Sequence, residues 1–325
     1  MTLKNASYAL FTSLVFISAY LIWKRRKSYT NVGRVKKLII YPVKSLPGIE
    51  VSSLEITKVG AKYLHWFDRG IAIVNSNNVI VTQRMKPLLA LLKQSFVGDE
   101  IWIEAPNQET LKIKYVNELN IDSNVITATH FAYKSVKGMD CGDDYAAWIQ
   151  KYLQGEGYRM MRHVKELPLR SSAEWNGVKV DFNKEEQIVF QDKNPVHVVN
   201  DSSVAELNSK ISEEEITYRR FRPNILIDCQ AYSEDCFREI RINETLLRRQ
   251  IKVERCVLTT VDPNEGTMSN IKEPLKTLKQ TRMPPKSSSK VEAAYYTKNP
   301  LFGVSCCVSK PGIITVNDQI SVKYF

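Results

Sequence analysis

Cys256 stands in the run Arg255-Cys256-Val257-Leu258-Thr259-Thr260-Val261-Asp262-Pro263, delivered by a strand-like stretch and followed by a turn at Asp262–Gly266. The thiolate is the form of cysteine that binds soft metals, and a neighbouring cation such as Arg255 is the setting in which it forms. The competing reading is a small buried hydrophobe, the usual role of a lone strand cysteine. Three other runs set a cation among turn residues: Tyr41-Pro42-Val43-Lys44-Ser45, Phe67-Asp68-Arg69 and Phe221-Arg222-Pro223-Asn224. Arginine forks and a lysine at strand ends are the means of gripping a phosphate-bearing group. Taken singly, each run fits a surface salt bridge better. The four histidines, His65, His130, His163 and His197, make no i, i+4 pair, which argues against a zinc hydrolase; His197 reads as structural. The six cysteines form no C-x-x-C, and no dinucleotide, P-loop or nucleophile-elbow motif is present.

The elements that must position these residues are mostly strands. VKKLIIYPV (35–43), IAIV (71–74) and VIVT (79–82) have strand character, with a polar turn at 75–78 joining the last two. Residues 87–96 read as a short apolar helix, and 101–105 with 111–116 as a hairpin. Tyr145, Trp148, Ile149 and Tyr152 put one apolar stripe on a helix over 140–153. In the second half, 187–190, 197–200, 224–229, 252–261, 312–316 and 319–325 read as strands. Residues 201–207 read as a helix capped by Asp201, and 280–290 as a mobile loop. The pattern favours a β-rich α+β or barrel fold over a doubly wound sheet. A boundary near 155–165 divides a first subdomain (34–160) from a second domain (165–325).

The chain has 325 residues and a formal charge of +11. No acidic residue precedes Glu50, and nine basic ones do, leaving about +2 for the remainder. That near-neutral body argues against a nucleic-acid surface. The uncharged run Tyr8–Trp23, followed by Lys24-Arg25-Arg26-Lys27, predicts one N-terminal transmembrane helix within 1–28 acting as a signal anchor, with the body in the cytosol. A cleaved secretory peptide would carry its positive charge before the apolar run.

Taken in order, Y-P-V-K-S, D-R before a strand, D-C-G before a helix, F-R-P-N and R-C-V-L-T-T-V-D-P resemble the mitochondrial amidoxime-reducing component family, which are MOSC-domain molybdenum enzymes. K-E-P-L-x-T-L-K (272–279) and P-L-F-G (300–303) extend the resemblance over about nine-tenths of the chain. It implies an α/β N-terminal MOSC subdomain joined to a MOSC β-barrel. It also implies a molybdenum cofactor, molybdopterin holding an oxo-molybdenum centre. Cys256 then resembles the protein ligand to molybdenum and the catalytic residue. Lys44, Ser45 and Arg69 match positions that hold the pterin and its phosphate, and Arg222 and Arg255 match further cofactor contacts. The family's Asp-Thr-Ser-Pro cofactor loop stands here as Asp192-Lys193-Asn194-Pro195, so Lys193 and Asn194 replace hydroxyls at cofactor-binding positions. Glu254 stands where a small serine is usual, and Ser305 where a tyrosine can be found.

The resemblance implies an oxidoreductase that reduces N-hydroxylated compounds (amidoximes, hydroxylamines, N-oxides). Its electrons would come from cytochrome b5 and its NADH-dependent reductase, at the mitochondrial outer membrane. The alternatives are a membrane-tethered molybdenum-cofactor carrier and a sulfurtransferase-type MOSC protein. Residues 275–299 hold six Lys and Arg against Glu292, a basic loop suited to an acidic electron carrier.

Overall fold

The computed structural model describes residues 28–115, 124–130, 133–171, 174–175, 178–179, 187–285, 296 and 298–325. The first half runs β1 (Thr30–Ile40), β2 (Ile49–Val51), β3 (Ser53–Thr57), β4 (Gly60–Tyr63), β5 (Trp66–Phe67), β6 (Ile71–Val74), β7 (Lys93–Val97), β8 (Glu100–Ala105), β9 (Gln108–Ile113), β10 (Val125–His130), β11 (Tyr133–Asp140), α1 (Asp143–Leu153) and β12 (Arg159–Arg162). Short strands β13 (Arg170–Ser171), β14 (Glu174–Trp175), β15 (Val178–Lys179) and β16 (Gln187–Ile188) lead to the second half. There follow β17 (Val196–Asn200), α2 (Asp201–Asn208), β18 (Ile225–Asp228), β19 (Phe237–Ile242), β20 (Thr245–Glu254), α3 (Leu275–Thr281), β21 (Leu301–Lys310), β22 (Gly312–Thr315) and β23 (Gln319–Tyr324).

Strands β18-β17-β21-β20-β19-β23-β1 close a ring, because β1 pairs with both β23 and β18. Closure leaves no free edge within that ring. The first described strand thus completes a barrel otherwise built from residues 196–324. Its inward residues Leu38 and Ile40 join Val198, Ile225, Ile227, Ile240, Val304 and Val322, all 1% exposed or less. Strands β17 and β18 are parallel, so a crossover must join them, and α2 lies within it. The first half contributes a sheet β10-β11-β12-β6 and a meander β7-β8-β9. Its core gathers Ile71, Ile73, Leu89, Ile101, Ile103 and Ile149.

Several expectations are corrected. The N-terminal half is not α/β: strands dominate it, and α1 is its one α-helix among the described residues. The helix expected at 87–96 is a 3-10 turn over Pro87–Leu91 followed by β7. Residues 93–97 find hydrogen-bonding partners on β8, which outweighs their helical spacing. IAIV does not pair in a regular ladder with VIVT; β6 pairs with β12, and one isolated bridge joins Val74 to Ile80. Helix α2 is capped by Asn200, whose side chain accepts from the Ser202 amide, not by Asp201.

The expected transmembrane helix is also corrected. Among the described residues no helix is long and apolar enough to cross a membrane. The longest described helix, α1, has 11 residues. That reaches about 16 Å, against about 30 Å of hydrocarbon. The apolar run Tyr8–Trp23 itself lies outside the described residues. The transmembrane element is therefore withdrawn, and with it the membrane-anchored location at the mitochondrial outer membrane.

Candidate functional site

A cavity of about 250 Å³ draws its wall from both halves of the chain. Lys44, Ser45, Arg69, Lys193, Asn194, Arg222, Arg255 and Cys256 all line it.

Lys44 and Ser45 lie in the turn that follows β1. The Lys44 amide donates to the Ile71 carbonyl at 2.7 Å, pinning that turn to β6. Its ammonium donates to the Phe190 carbonyl at 2.8 Å and pairs with Asp192. His130 Nε2 meets the same Asp192 oxygen at 3.2 Å. Burial pulls the Lys44 ammonium down to about 8 against the opposing pull of Asp192. Burial also brings His130 down to about 4, so the neutral imidazole serves as the donor to Asp192.

Arg69 follows a fully buried Asp68, which accepts from the Tyr41 amide at 2.9 Å and pairs with the Arg69 guanidinium. Arg69 Nη2 donates to the Arg222 carbonyl at 3.2 Å. The guanidiniums of Arg69 and Arg222 lie 4.3 and 4.5 Å from the Tyr41 ring centroid, within cation–π range. Ser45, Arg69 and Arg222 adopt φ of +73°, +53° and +56°. Such conformations cost about 1–3 kcal/mol each and persist where surrounding structure enforces them, often at functional sites.

Arg255 follows β20 and points its guanidinium at neutral acceptors. It donates to the Phe302 carbonyl at 2.7 and 2.9 Å, to the Phe221 carbonyl at 3.2 Å and to His197 Nε2 at 2.7 Å. His197 Nδ1 lies 3.3 Å from the Arg222 carbonyl, consistent with Nδ1 as donor and Nε2 as acceptor. Burial, then the charge of Arg255, keeps His197 well below its ordinary value and therefore neutral. Burial lowers Arg222 to about 10 and Arg255 to about 9. Arg222 Nη2 is buried without a hydrogen-bond partner among the described residues.

Cys256 does not sit in a strand. β20 ends at Glu254, and Cys256 precedes a 3-10 turn over Val257–Thr260. The ladder with β21 stops at Glu254–Leu301, so the chain turns and leaves the sulfur partly exposed on the cavity wall. Arg84 Nη1 approaches Cys256 Sγ at 3.6 Å. Neither Arg84 nor a site role for His197 emerges from sequence reasoning. A cation in the polar run Thr82-Gln83-Arg84 is the available signal for the first; nothing local marks the second. Two of the four departures from the family pattern meet: Lys193 Nζ lies 3.7 Å from a Glu254 carboxylate oxygen. Asn194 and Ser305 line the cavity as well.

Seven Lys and Arg residues line this cavity against two carboxylates, Asp192 and Glu254. Strongly perturbed groups gathered in one cleft mark a candidate functional site. The orphaned Arg222 nitrogen and the neutral surroundings of Arg255 suit an anionic, phosphate-bearing group. No group of three or more His, Cys, Asp or Glu that could hold a metal ion occurs among the described residues. A metal at Cys256 would therefore have to bring most of its ligands with it, as an organic cofactor does. Of the expected basic loop, Lys276 pairs with Glu213 and Arg282 with Asp235. Lys286 and Lys290 lie outside the described residues.

Comparison with known proteins bears on the whole chain. The MOSC N-terminal beta barrel domain matches residues 32–156 and the MOSC domain matches residues 185–321. Mitochondrial amidoxime-reducing component 1 of Mus musculus is 34% identical over 298 residues, covering 91% of this chain and 84% of the relative. The Homo sapiens protein of the same name is 34% identical over 298 residues, covering 91% and 85%. That of Danio rerio is 32% identical over 324 residues, covering 98% and 94%. With both domains matched in order and a third of its residues shared with these relatives, the chain belongs to the MOSC-domain family, whose membership carries a general molybdenum-cofactor-binding oxidoreductase role.

Proposed function

We propose that the protein reduces N-hydroxylated compounds such as amidoximes, hydroxylamines and N-oxides, taking electrons from cytochrome b5 and its NADH-dependent reductase. The observation that carries this reading is the meeting of the Cys256 sulfur and the under-neutralised cations of Arg222 and Arg255 on one cavity wall. When bound, the molybdenum cofactor supplies a two-electron centre that can take oxygen from an N–O group.

This chain's own residues would do the rest. Cys256 would offer its thiolate to the metal, with the Arg84 guanidinium held against the sulfur. Arg222, left without a partner on Nη2, would donate to the anionic end of the cofactor. Lys44, Ser45 and Arg69 would hold it from the opposite half of the chain, and Arg255, Lys193 and Asn194 from the barrel side. The hydrogen bonds that fix Arg69 and Arg255 to protein groups preorganise this grip, so little ordering cost remains at binding.

The test is molybdenum analysis of the purified protein, wild type and Cys256→Ala, with benzamidoxime reduction assayed in the presence of NADH, cytochrome b5 and its reductase. Wild type should hold molybdenum and turn over, and the Ala variant should lose at least a hundredfold in rate. Full activity in Cys256→Ala, or a wild type without molybdenum, would sink the proposal. Molybdenum held without turnover would point to a cofactor carrier.

A further inference from the structure

We infer that Glu254 is the carboxylate that receives the cationic end of the amidine formed in this cavity, in competition with its ion-pair partner Lys193. The inference rests on the N-hydroxy reductase reading and assigns a residue to its substrate end.

Three observations carry it. Glu254 and Asp192 are the only carboxylates among the described residues lining the cavity, against seven Lys and Arg. Asp192 is committed to Lys44 and His130. Glu254 is two residues from Cys256, at the very end of β20, with its side chain 11% exposed. The Lys193 ammonium lies 3.7 Å away and is itself 13% exposed, so the pair is largely shielded from solvent and its charges act strongly on what enters.

The chemistry supplies the need for a carboxylate. An amidoxime enters uncharged near neutral pH. The overall reduction is R–C(NH2)=N–OH + 2 e− + 3 H+ → R–C(NH2)2+ + H2O. The N–O bond breaks, the oxygen leaves as water, the electrons come from the donor protein, and the basic amidine keeps the third proton. Positive charge thus develops in a cavity whose wall is already cationic. A carboxylate beside the reacting end can accept two N–H bonds from an amidinium in the fork geometry that arginine uses.

The experiment measures benzamidinium binding by titration calorimetry, with the neutral benzamide as control, on the full molybdenum-loaded chain. Wild type, Glu254→Gln, Glu254→Asp and Lys193→Gln are compared after matching molybdenum content and melting temperature. Glu254→Gln should weaken benzamidinium at least tenfold and leave benzamide within twofold. Glu254→Asp should recover part of the loss, and Lys193→Gln should tighten benzamidinium threefold or more by removing a competing cation. Benzamidinium binding within twofold of wild type in Glu254→Gln overturns the inference. If that variant loses molybdenum, the Lys193 arm decides: unchanged or weaker binding overturns it. Binding requires no turnover, so a wild type that captures benzamidinium through Glu254 but never reduces benzamidoxime would overturn the reductase reading alone.

Discussion

Beneath α2, Glu234 is 0% exposed, and its side-chain hydrogen-bond donors among the described residues are neutral. Ser203 Oγ donates to it at 2.8 Å and Asn200 Nδ2 at 3.1 Å. Burial raises its carboxyl to about 7. In the cavity, Arg222 has an equally buried nitrogen with nothing to donate to among the described residues. Glu234 resolves its burial internally: a closed network in which the neutral acid is easily kept. Arg222 stays cationic across the ordinary pH range and leaves its burial unresolved. A polar group satisfied by the fold reads as structure, and one left unsatisfied beside a cavity reads as waiting for a ligand.

Three variants test that contrast. The largest effect belongs to Arg222→Met. Its molybdenum content, measured by mass spectrometry of the purified protein, should fall at least tenfold, as loss of a charged hydrogen bond implies. The cofactor-free variant should nevertheless be more stable to urea than cofactor-free wild type, by about 1 kcal/mol, since a buried uncompensated charge is gone. Unchanged molybdenum content would break the comparison from the cavity side.

Glu234→Gln comes next. The folded carboxyl is raised above its unfolded value, so its stabilising contribution is full below about pH 4.5 and is lost as pH rises through about 7. The shift corresponds to a loss on the order of 3 kcal/mol. Urea unfolding at pH 5 and pH 8 should show this fall in wild type and a flatter profile in the Gln variant. A wild-type profile as flat as the variant's would mean that Glu234 stays ionised. The smallest effect is Asn200→Ala, which removes the cap on α2 and one donor to Glu234. It should cost about 1–2 kcal/mol in the same assay without changing molybdenum content. A drop in molybdenum content there would show that the two clusters are not independent.

Much of the site is legible in the amino-acid sequence. Lys44, Ser45, Arg69, Arg222, Arg255 and Cys256 stand in short runs where a cation or thiol adjoins turn residues, and such runs are local. Strand character is legible over 35–40, 225–228 and 319–324 for the same reason. Arg84 is not, because its contact to Cys256 spans 172 residues. The role of His197 is not, because a histidine's tautomer is set by partners from other strands. The strand expected through 252–261 breaks after Glu254 because its ladder partner β21 ends there, which no periodicity in 252–261 reveals.

The chemical types follow from the residues alone: a lone thiol beside an arginine, several cations at turns, and β-rich segments around them. Of the four departures from the family pattern, Lys193 and Glu254 carry no local indication that they bear on each other. Folding in three dimensions decides that they pair, that eight residues spread over more than two hundred positions line one cavity, and that β1 closes the C-terminal barrel. The reason is that periodicity and propensity act over a few residues, whereas ring closure, register and ion pairing depend on contacts between segments far apart in the chain.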